Sequence, residues 1–566
     1  MKKVLLKITA AAAALVLLVV SMAACGPDGG EQTTTVPVTG AQAGKWQNAF
    51  PEAEGTTLPQ LLTPEINEII GKALGAGVQW KGDYAALSEA QRKAVEAAFD
   101  KLGYQVKVTG SGIKFIPGKN DLAVSDVYQP GKTVSDKTLS GLQRGFVKTF
   151  NSSGNDIFSD AVACGEDGFA AVGIFGTADG DCKDAGSGWS GVKSMLVRYS
   201  GQGEVLWKSF LGGDNGATLV ALDRLKDGGF VAAGQTKSSE FGAKPENMID
   251  GLIAKYSADG KKLWAKAVGG SKNEYFSSVC ATADGGFLIG GKTESSNGDF
   301  TGLRADAIKA VLIKYDANGN MLWKRALTGT MHSNVEGIAV NAAGEIYITC
   351  ETMSSDGSLT GIAGRGNADT VIVKYDKNGA PLWVNCFSGS GIDELVYIAA
   401  SPDGGCVIGG RFSIAAAADG SFKDIHNAGS FDAFLVKYNP DGTIGWTRSV
   451  AGFLNDRITG IVSVDGGFAV CGISESNNRD FAQLGNLGEQ DSFVMLLSEA
   501  TGSTVGFITV AGKADDVARS ICASPGGKLY LVGGTTSSDG TFLNVSPAAK
   551  SGNFACFAVS MTYTSA

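Results

Sequence analysis

The sequence predicts an all-β protein: a seven-bladed β-propeller of four-stranded antiparallel blades, closed by its N-terminal strand and preceded by a small α/β domain. Phrases similar to YDANGNMLWKRALTG recur about every 60 residues. Each repeat contains four short apolar runs separated by Asp-Gly or Asn-Gly, which favour tight hairpin turns. Glycine accounts for 80 of 566 residues without a Gly-X-Y period, as expected for many short strands joined by turns. Four antiparallel strands per repeat are what one propeller blade requires.

Residues 1–24 have the pattern of a signal peptide rather than of a folded segment. Lys2, Lys3 and Lys7 precede an apolar run over residues 8–21, and Met22-Ala23-Ala24-Cys25 follows it. This stretch resembles a bacterial lipoprotein signal, although Met22 stands where that family usually has leucine. The resemblance implies that Cys25 becomes the lipidated first residue and holds the protein to the membrane. An ordinary secretory signal with a chance cysteine is the alternative, and the apolar run is shorter than the roughly 18 to 20 residues of a membrane span.

The charge of the chain excludes nucleic acid as an expected partner. The formal net charge is −9, and removing residues 1–24 takes away three lysines and no acid, which makes it −12. Such an acidic protein is repelled by phosphate backbones and by anionic lipid surfaces. We therefore expect an extracytoplasmic protein on the cell surface that is attached to the bacterial membrane through the Cys25 lipid alone.

The region before the repeats divides into three parts. Residues 25–45 are rich in Gly, Thr, Pro and Gln and predict a flexible tether. Residues 46–117 predict a small α/β domain with two capped helices and a hairpin, YQVKV-TGSG-IKFIP. Residues 118–143 predict a linker, and residues 144–566 the propeller.

The repeat places one aromatic residue at the same position of each unit. Five tryptophans are separated by 57, 59, 60 and 63 residues, and a phenylalanine extends the register at each end; the set is Phe146, Trp207, Trp264, Trp323, Trp383, Trp446 and Phe507. We expect these rings to pack between neighbouring blades, with a cost of about 3 to 5 kcal/mol for truncation to alanine. RGFVKTF, at residues 144–150, is a lone fourth strand, and the last unit ends after its third strand, FACFAVSMTY. Pairing these two strands would complete the seventh blade and leave no open edge in the ring.

The motifs DGGFLIGG and IKYDANGNMLW, with the Gly-Gly after them, resemble the bacterial β-propeller repeats of about 60 residues (SBBP-like repeats) of exported proteins and lipoproteins. The resemblance covers residues 144–566 and implies the fold. It does not specify an activity, because propellers host many functions.

Two repeated features are candidates for function. An acid recurs after the Gly-Gly at Asp156, Glu274, Asp393, Asp456 and Asp516, with Ala217 and Ser333 as exceptions. A ring of carboxylates could hold Ca²⁺, which prefers oxygen ligands. The alternative is that each acid accepts backbone N–H bonds in its own loop. The loops on the same end of the blades also carry aromatic residues that either face a partner or pack inward: Trp189, Phe241, Phe300, Phe422, Phe481 and Phe542.

Catalytic motifs are scarce. His332 and His426 are the only histidines, they fall in different loops, and neither has a metal-ligand spacing. The nine cysteines after Cys25 form no CxxC pair, and Cys164 with Cys182 is the one pairing that merits a test. We therefore predict a non-enzymatic binding or scaffold protein for a surface protein or glycan, without a catalytic residue, a protein-bound metal or an organic cofactor. A polysaccharide hydrolase or lyase with paired carboxylates in the channel is the alternative.

Overall fold

The computed structural model describes residues 104–109, 112–117 and 140–564, apart from 244–247, 304–307, 361–367, 390, 414–419, 423–424, 426, 483–488 and 546–551. The predicted hairpin is present: β1 (Tyr104–Thr109) pairs antiparallel with β2 (Gly112–Pro117). The signal peptide with Cys25, the tether, the two predicted helices and the linker lie outside the described residues.

The remaining strands form seven antiparallel four-stranded sheets, which we number as blades from the N-terminal side. Blade 1 contains β4 (Ile157–Ala163), β5 (Phe169–Phe175), β6 (Ser190–Tyr199) and β7 (Val205–Gly213). Blade 2 contains β8 (Ala217–Arg224), β9 (Phe230–Thr236), β10 (Asp250–Tyr256) and β11 (Lys262–Val268). Blade 3 contains β12 (Glu274–Ala281), β13 (Phe287–Thr293), β14 (Lys309–Tyr315) and β15 (Met321–Leu327). Blade 4 contains β16 (Ser333–Val340), β17 (Ile346–Thr352), β18 (Asp369–Tyr375) and β19 (Pro381–Phe387).

The last three blades follow the same plan. Blade 5 contains β20 (Asp393–Ala400), β21 (Cys406–Ser413), β22 (Phe431–Tyr438) and β23 (Ile444–Val450). Blade 6 contains β24 (Asp456–Val464), β25 (Gly467–Ser474), β26 (Asp491–Ser498) and β27 (Thr504–Val510). Blade 7 contains β28 (Asp516–Ser524), β29 (Lys528–Thr535), β30 (Ala555–Thr564) and, as its fourth strand, β3 (Ser140–Phe150). Short 3-10 turns lie at Gly165–Asp167, Gly180–Cys182, Ser239–Phe241, Gly298–Phe300, Gly357–Leu359, Gly420–Phe422, Arg479–Phe481 and Gly540–Phe542.

The ring is closed by the pairing of β3 with β30, as the sequence predicts. The closing strand begins at Ser140 rather than at residue 144. The first strand of each blade contacts the first strands of the blades on either side, so these seven strands surround a central channel. In the described part of the chain, no helix is long and apolar enough to cross a membrane.

The core lies between the blades. The third strands β10, β14 and β18 are buried along their whole length, because both faces of each sheet are covered by a neighbouring blade. This explains why their sequences are continuous apolar runs rather than alternating ones. The hydrophobic clusters accordingly combine residues of adjacent blades; one, for example, joins Ile253 of blade 2 to Phe287, Phe300 and Ile313 of blade 3. The nine described cysteines are all free thiols, so Cys164 and Cys182, the one pair that merited a test, are not joined by a disulfide.

The repeated aromatic residues lie at the outer rim of the ring, where six of the seven contact a turn glycine of the next blade. Each of the seven is only half buried, because it lies on the fourth and outermost strand. The ring of Trp264 covers Gly319, the turn glycine between β14 and β15 of the next blade. Gly319 has φ +83°, and a β-carbon there would lie 2.7 Å from the Trp264 ring. Glycine is therefore required at this turn both for the backbone conformation and for the close approach of the indole.

Five more blade junctions repeat this contact, and one differs. The pairs are Phe146 with Gly203, Trp207 with Gly260, Trp323 with Gly379, Trp383 with Gly442, and Trp446 with Gly502. Phe507 of blade 6 stacks instead on Phe493, with ring centroids 5.6 Å apart. It has no glycine to cover, since the third and fourth strands of blade 7 come from opposite ends of the chain and are not joined by a turn.

Replacing Trp264 with alanine should lower the free energy of unfolding by about 2 kcal/mol. The expected loss is smaller than that of a fully buried tryptophan because Trp264 is only partly buried. Leu263→Ala is the matched control, since Leu263 is adjacent in β11 and 51% exposed; it should cost less than about 0.5 kcal/mol. Urea unfolding of both variants measures the difference, and equal losses would contradict the packing role of the indole.

Candidate functional site

The two ends of the ring differ in their connections. The loop face carries the connections from each fourth strand to the next first strand and from each second strand to the third. The turn face carries the tight turns between first and second strands and between third and fourth strands. The repeated acids and most of the longer connections belong to the loop face.

The repeated acids stand where the first strands begin. Glu274, Asp393, Asp456 and Asp516 are the first residues of β12, β20, β24 and β28, and Asp156 directly precedes β4. All five side chains are buried, with exposed fractions of 0 to 1%. The register read from the sequence is therefore right, but the carboxylates do not face solvent.

Asp516 shows what such an acid does. Its Oδ2 accepts hydrogen bonds from the Gly512 backbone N–H at 2.5 Å and from Ser537 Oγ at 2.9 Å. Its Oδ1 accepts a hydrogen bond from Thr535 Oγ1 at 2.5 Å. Burial raises the pKa of Asp516 to about 7, and Thr535, Ser537 and Gly512 oppose that rise by hydrogen bonding. The carboxyl group thus joins the loop before β28 to the end of β29.

Three other acids make equivalent contacts in their own blades. Glu274 accepts from Gly270 N at 2.9 Å and from Thr293 Oγ1 at 2.7 Å. Asp456 accepts from Gly452 N at 2.6 Å and from Ser474 Oγ at 2.5 Å. Asp156 accepts from Ser152 Oγ at 2.8 Å and from Gly176 N at 3.0 Å. Burial raises the pKa of each of these three acids.

The sequence left two roles open for these acids, Ca²⁺ binding and the acceptance of hydrogen bonds in their own loops. The contacts match the second role. Within the part of the chain that the structure describes, no three or more His, Cys, Asp or Glu side chains are grouped so that they could hold a metal ion. At the exception Ser333, the hydroxyl pairs with Thr352 Oγ1 at 2.8 Å and takes the place of the acid. Four acids and one serine therefore stabilise the loop face by hydrogen bonds, each within its own blade.

The sequence left the loop-face phenylalanines open between contact with a partner and inward packing, and the structure shows inward packing. Phe241, Phe300, Phe422, Phe481 and Phe542 are all buried, with exposed fractions of 8% or less. They lie in the 3-10 turns that follow the second strands and pack into the core beneath the loops. Trp189 is half buried against Gly212.

A row of lysines on the turn face was not singled out from the sequence. Lys255, Lys314, Lys374 and Lys437 precede the last tyrosine of each third strand and are at most 8% exposed. Each pairs with an acid of the turn between first and second strands: Asp227 at 3.3 Å, Asp284 at 2.9 Å, Glu345 at 2.8 Å and Asp403 at 2.7 Å. The Lys-Tyr dipeptide that recurs at the end of these third strands is the sequence feature that could have indicated this row.

Burial alone would raise the pKa of Asp284, but hydrogen bonds from Thr282 and Lys314 outweigh it and hold the pKa at about 2. The pKa values of the turn-face acids are therefore lowered, whereas burial raises those of the loop-face acids. The two ends of the ring thus differ in electrostatics as well as in connections.

Two cavities open on the turn face. One, of about 520 Å³, lies between blades 4 and 5 and is lined by Asn341, Ser401 and Asp403 among others. The other, of about 480 Å³, lies between blades 5 and 6 beside Lys437, Trp446 and Glu499. The Lys437–Asp403 ion pair borders the second cavity.

The described residues contain no open arrangement of catalytic groups. His332 Nε2 is 3.3 Å from Lys292 Nζ, and burial, with the charge of Lys292, lowers the pKa of His332 to about 4. His426 lies outside the described residues. The charge of Asp432 helps to raise the pKa of Asp456, but both side chains are buried, with 0% and 1% exposure. They do not line a cleft that a polysaccharide could enter.

Comparisons with known proteins give a distant relative in sequence and remote similarities to solved structures. No family model matches the chain. The regulatory protein FlaEY of Caulobacter vibrioides is 23% identical over 391 residues, which cover 63% of this chain and 39% of that protein. The chain thus matches well under half of the length of this curated relative.

The solved structures that resemble the chain are remote in sequence. A Dyadobacter fermentans protein of unknown function is 10% identical, with 75% of this chain and 99% of that chain covered and a TM-score of 0.36. Kuenenia stuttgartiensis hydrazine synthase is 10% identical, with 68% and 94% covered and a TM-score of 0.39. Drosophila Plexin A, solved in complex with Semaphorin 1b, is 10% identical, with 75% and 88% covered and a TM-score of 0.38. None of these similarities bears on activity.

Proposed function

We propose that this protein is a non-enzymatic binding or scaffold protein that uses the loop face of its propeller to hold a partner at the cell surface. A lipid on Cys25 would anchor it to the outer side of the bacterial membrane. The protein or glycan partner would then meet a rigid ring that the closing strand and the buried acids hold in shape.

The observation that carries the proposal is the set of exposed apolar side chains on the loop face. Met331, Met353, Leu454 and Leu543 are 53, 45, 48 and 62% exposed. Met331 and Leu454 occupy the same position of their repeats, two residues before Ser333 and Asp456, whereas the other blades have no large apolar residue there. Exposed apolar side chains that lie together mark interaction surfaces, whereas single ones are common on any protein.

Two of these residues are adjacent. The Met353 backbone N–H donates to the His332 carbonyl at 2.9 Å, and the Met331 N–H donates to Ser354 Oγ at 2.9 Å. Two exposed methionines therefore lie side by side at blade 4. Methionine adapts its shape to an apolar partner, which favours a protein surface as the ligand. The polysaccharide hydrolase or lyase receives no such support, because the neighbouring carboxylates are buried.

The test uses the chain from residue 25 with Cys25→Ser, together with the lipidated form. Fatty-acid labelling and membrane fractionation should lose the protein from the membrane when Cys25 is replaced. Binding to envelope proteins and to a glycan array should fall at least tenfold in Met331→Glu/Met353→Glu. Leu322→Glu/Leu382→Glu, on the outer edges of blades 3 and 4, is the matched control and should bind normally. Turnover of a polysaccharide without stable binding would overturn the proposal.

A further inference from the structure

The wall of the central channel carries a group of basic side chains that none of the repeated features explains. Arg457 is the second residue of β24, and Arg519 lies at the β-bulge of β28, between Ala518 and Ser520. Tyr397 lies just past the bulge of β20, and Arg411 of β21 is opposite Glu394 in the register. β20, β24 and β28 are the first strands of blades 5, 6 and 7 and contact one another around the channel.

The exposure of these residues indicates that they face the channel. Asp456 and Ile458, on either side of Arg457, are buried, whereas Arg457 is partly exposed. Arg519 is exposed, although Ala518 before it is fully buried. Both faces of a blade are covered by its neighbours, so an exposed side chain on a first strand projects toward the channel. Arg457 lies near the loop-face end of its strand.

The charges in this group are close enough to repel one another. Burial lowers the pKa of Arg457, and the charges of Arg519 and Arg411 lower it further. Burial raises the pKa of Tyr397, and the charges of Arg519 and Arg457 oppose that rise. Among the described residues, the guanidinium groups of Arg457 and Arg519 have no hydrogen-bond or ion-pair partner. Arg411 lies over the Phe431 ring, with its guanidinium carbon 4.6 Å from the centroid.

Two acids act on this group through their charges: Glu475 raises the pKa of Arg457, and Glu336 raises the pKa of Tyr397. Glu475 accepts hydrogen bonds from Asn455 Nδ2 at 2.8 Å and Gln490 Nε2 at 3.0 Å. Glu336 accepts from Asn334 Nδ2 at 2.6 Å. The two guanidinium charges repel each other in the absence of a partner. A bound oxyanion would relieve that repulsion and accept hydrogen bonds from their N–H groups.

We propose that Arg457 and Arg519, with Tyr397 beside them, form an anion-binding site in the central channel that takes a carboxylate or phosphate group of a ligand. In a protein of net charge −9, such a site is a local positive region inside a narrow channel, which concentrates its field. The site adds a ligand chemistry to the proposed binding role and in that respect rests on it. An acidic glycan or a phosphorylated molecule at the loop face could place its charged group there.

Calorimetric titration of the same chain from residue 25 tests the site with three probes: inorganic phosphate, acetate and glucuronate. At constant ionic strength we expect saturable binding of at least one probe. Arg457→Gln and Arg519→Gln should each weaken that binding about tenfold or more. Arg224→Gln removes the same charge from the turn-face end of β8, where the guanidinium lies near Gly165 and Gly228, and should leave binding unchanged. Phosphate binding without acetate or glucuronate binding would assign the site to phosphate, and the reverse to carboxylate.

A second readout separates binding from folding. Because removal of one guanidinium relieves repulsion, unliganded Arg519→Gln should melt at the same temperature as the wild type or higher, while losing its stabilisation by the anion. The inference is overturned if the wild type binds none of the three probes saturably, or if both Arg→Gln variants bind as the wild type does. Loss of partner binding in the methionine variant with intact anion binding would instead count against the proposed receptor role alone.

Discussion

A chain that begins at residue 152, and so lacks β3, will not form a monomeric propeller. β30 would lose its hydrogen-bonded neighbour along Leu142 to Phe150 and become an open edge. Val559 and Met561 of β30, which are fully buried in the intact ring, would be uncovered on the side that β3 occupies. We expect the free energy of unfolding to fall by more than about 5 kcal/mol, which is comparable to the whole stability of many domains.

Size-exclusion chromatography and thermal unfolding measure this result. The truncated chain should elute as aggregates or oligomers, because an uncovered apolar strand edge pairs with other chains. A chain that begins at residue 136 keeps β3 and removes only preceding residues, so it is the matched control and should remain monomeric. A peptide of residues 140–151, added during refolding, should restore the monomer by supplying the missing strand. A monomeric truncated chain with an unchanged melting temperature would show that closure is dispensable.

The closure was predictable because it depends on counting strands rather than on side-chain detail. Turn glycines such as Gly319 and Gly379 mark the strand boundaries in the sequence, and the ring needs one strand from each end of the chain. The aromatic contacts were predicted for the same reason. Their partial exposure was not predictable. A repeat shows that Trp264 and the corresponding residues occupy the same position in each blade, but it does not show how far that position lies from the axis of the ring.

The acid positions alone do not distinguish Ca²⁺ binding from a local role, but a second pattern in the sequence favours the local role. A Thr or Ser two residues before a Ser ends the second strand in five blades: Thr236-x-Ser238, Thr293-x-Ser295, Thr352-x-Ser354, Ser474-x-Ser476 and Thr535-x-Ser537. These hydroxyls include the donors to Glu274, Asp456 and Asp516. The channel arginines had no such signal. Arg411, Arg457 and Arg519 occupy different positions in their blades, and only the closed ring brings them together.

Replacing Asp516 with alanine should lower the free energy of unfolding by about 3 kcal/mol at pH 4.5. The substitution leaves the Gly512 N–H and the Thr535 and Ser537 hydroxyls without their acceptor inside the protein. It also removes a side chain that has no exposure to solvent. Chemical denaturation at fixed pH gives the value, and a loss below about 1 kcal/mol would contradict the structural role of the carboxyl group.

The same variant should show how stability depends on pH. The pKa of Asp516 rises from 3.8 to about 7 on folding, chiefly through burial. Between pH 4 and pH 7 the folded state therefore binds more protons than the unfolded state at this site, and its contribution to stability falls as the pH rises. A shift of this size corresponds to about 4 kcal/mol in total, of which about 3 kcal/mol falls between pH 4.5 and pH 8. The cost of Asp516→Ala should thus shrink from about 3 kcal/mol at pH 4.5 toward zero at pH 8.

Ser333→Ala separates this effect from general changes of stability with pH. Ser333 occupies the position of the acid in blade 4, and its hydroxyl bonds to Thr352 without titrating in this range. Its substitution should cost about 1 kcal/mol at both pH values. Asp284, whose pKa is lowered to about 2, gains its proton only below the tested window and leaves the comparison unaffected. If the cost of Asp516→Ala instead grew between pH 4.5 and pH 8, the buried carboxyl would be held as the anion, and hydrogen bonding would outweigh burial at this position.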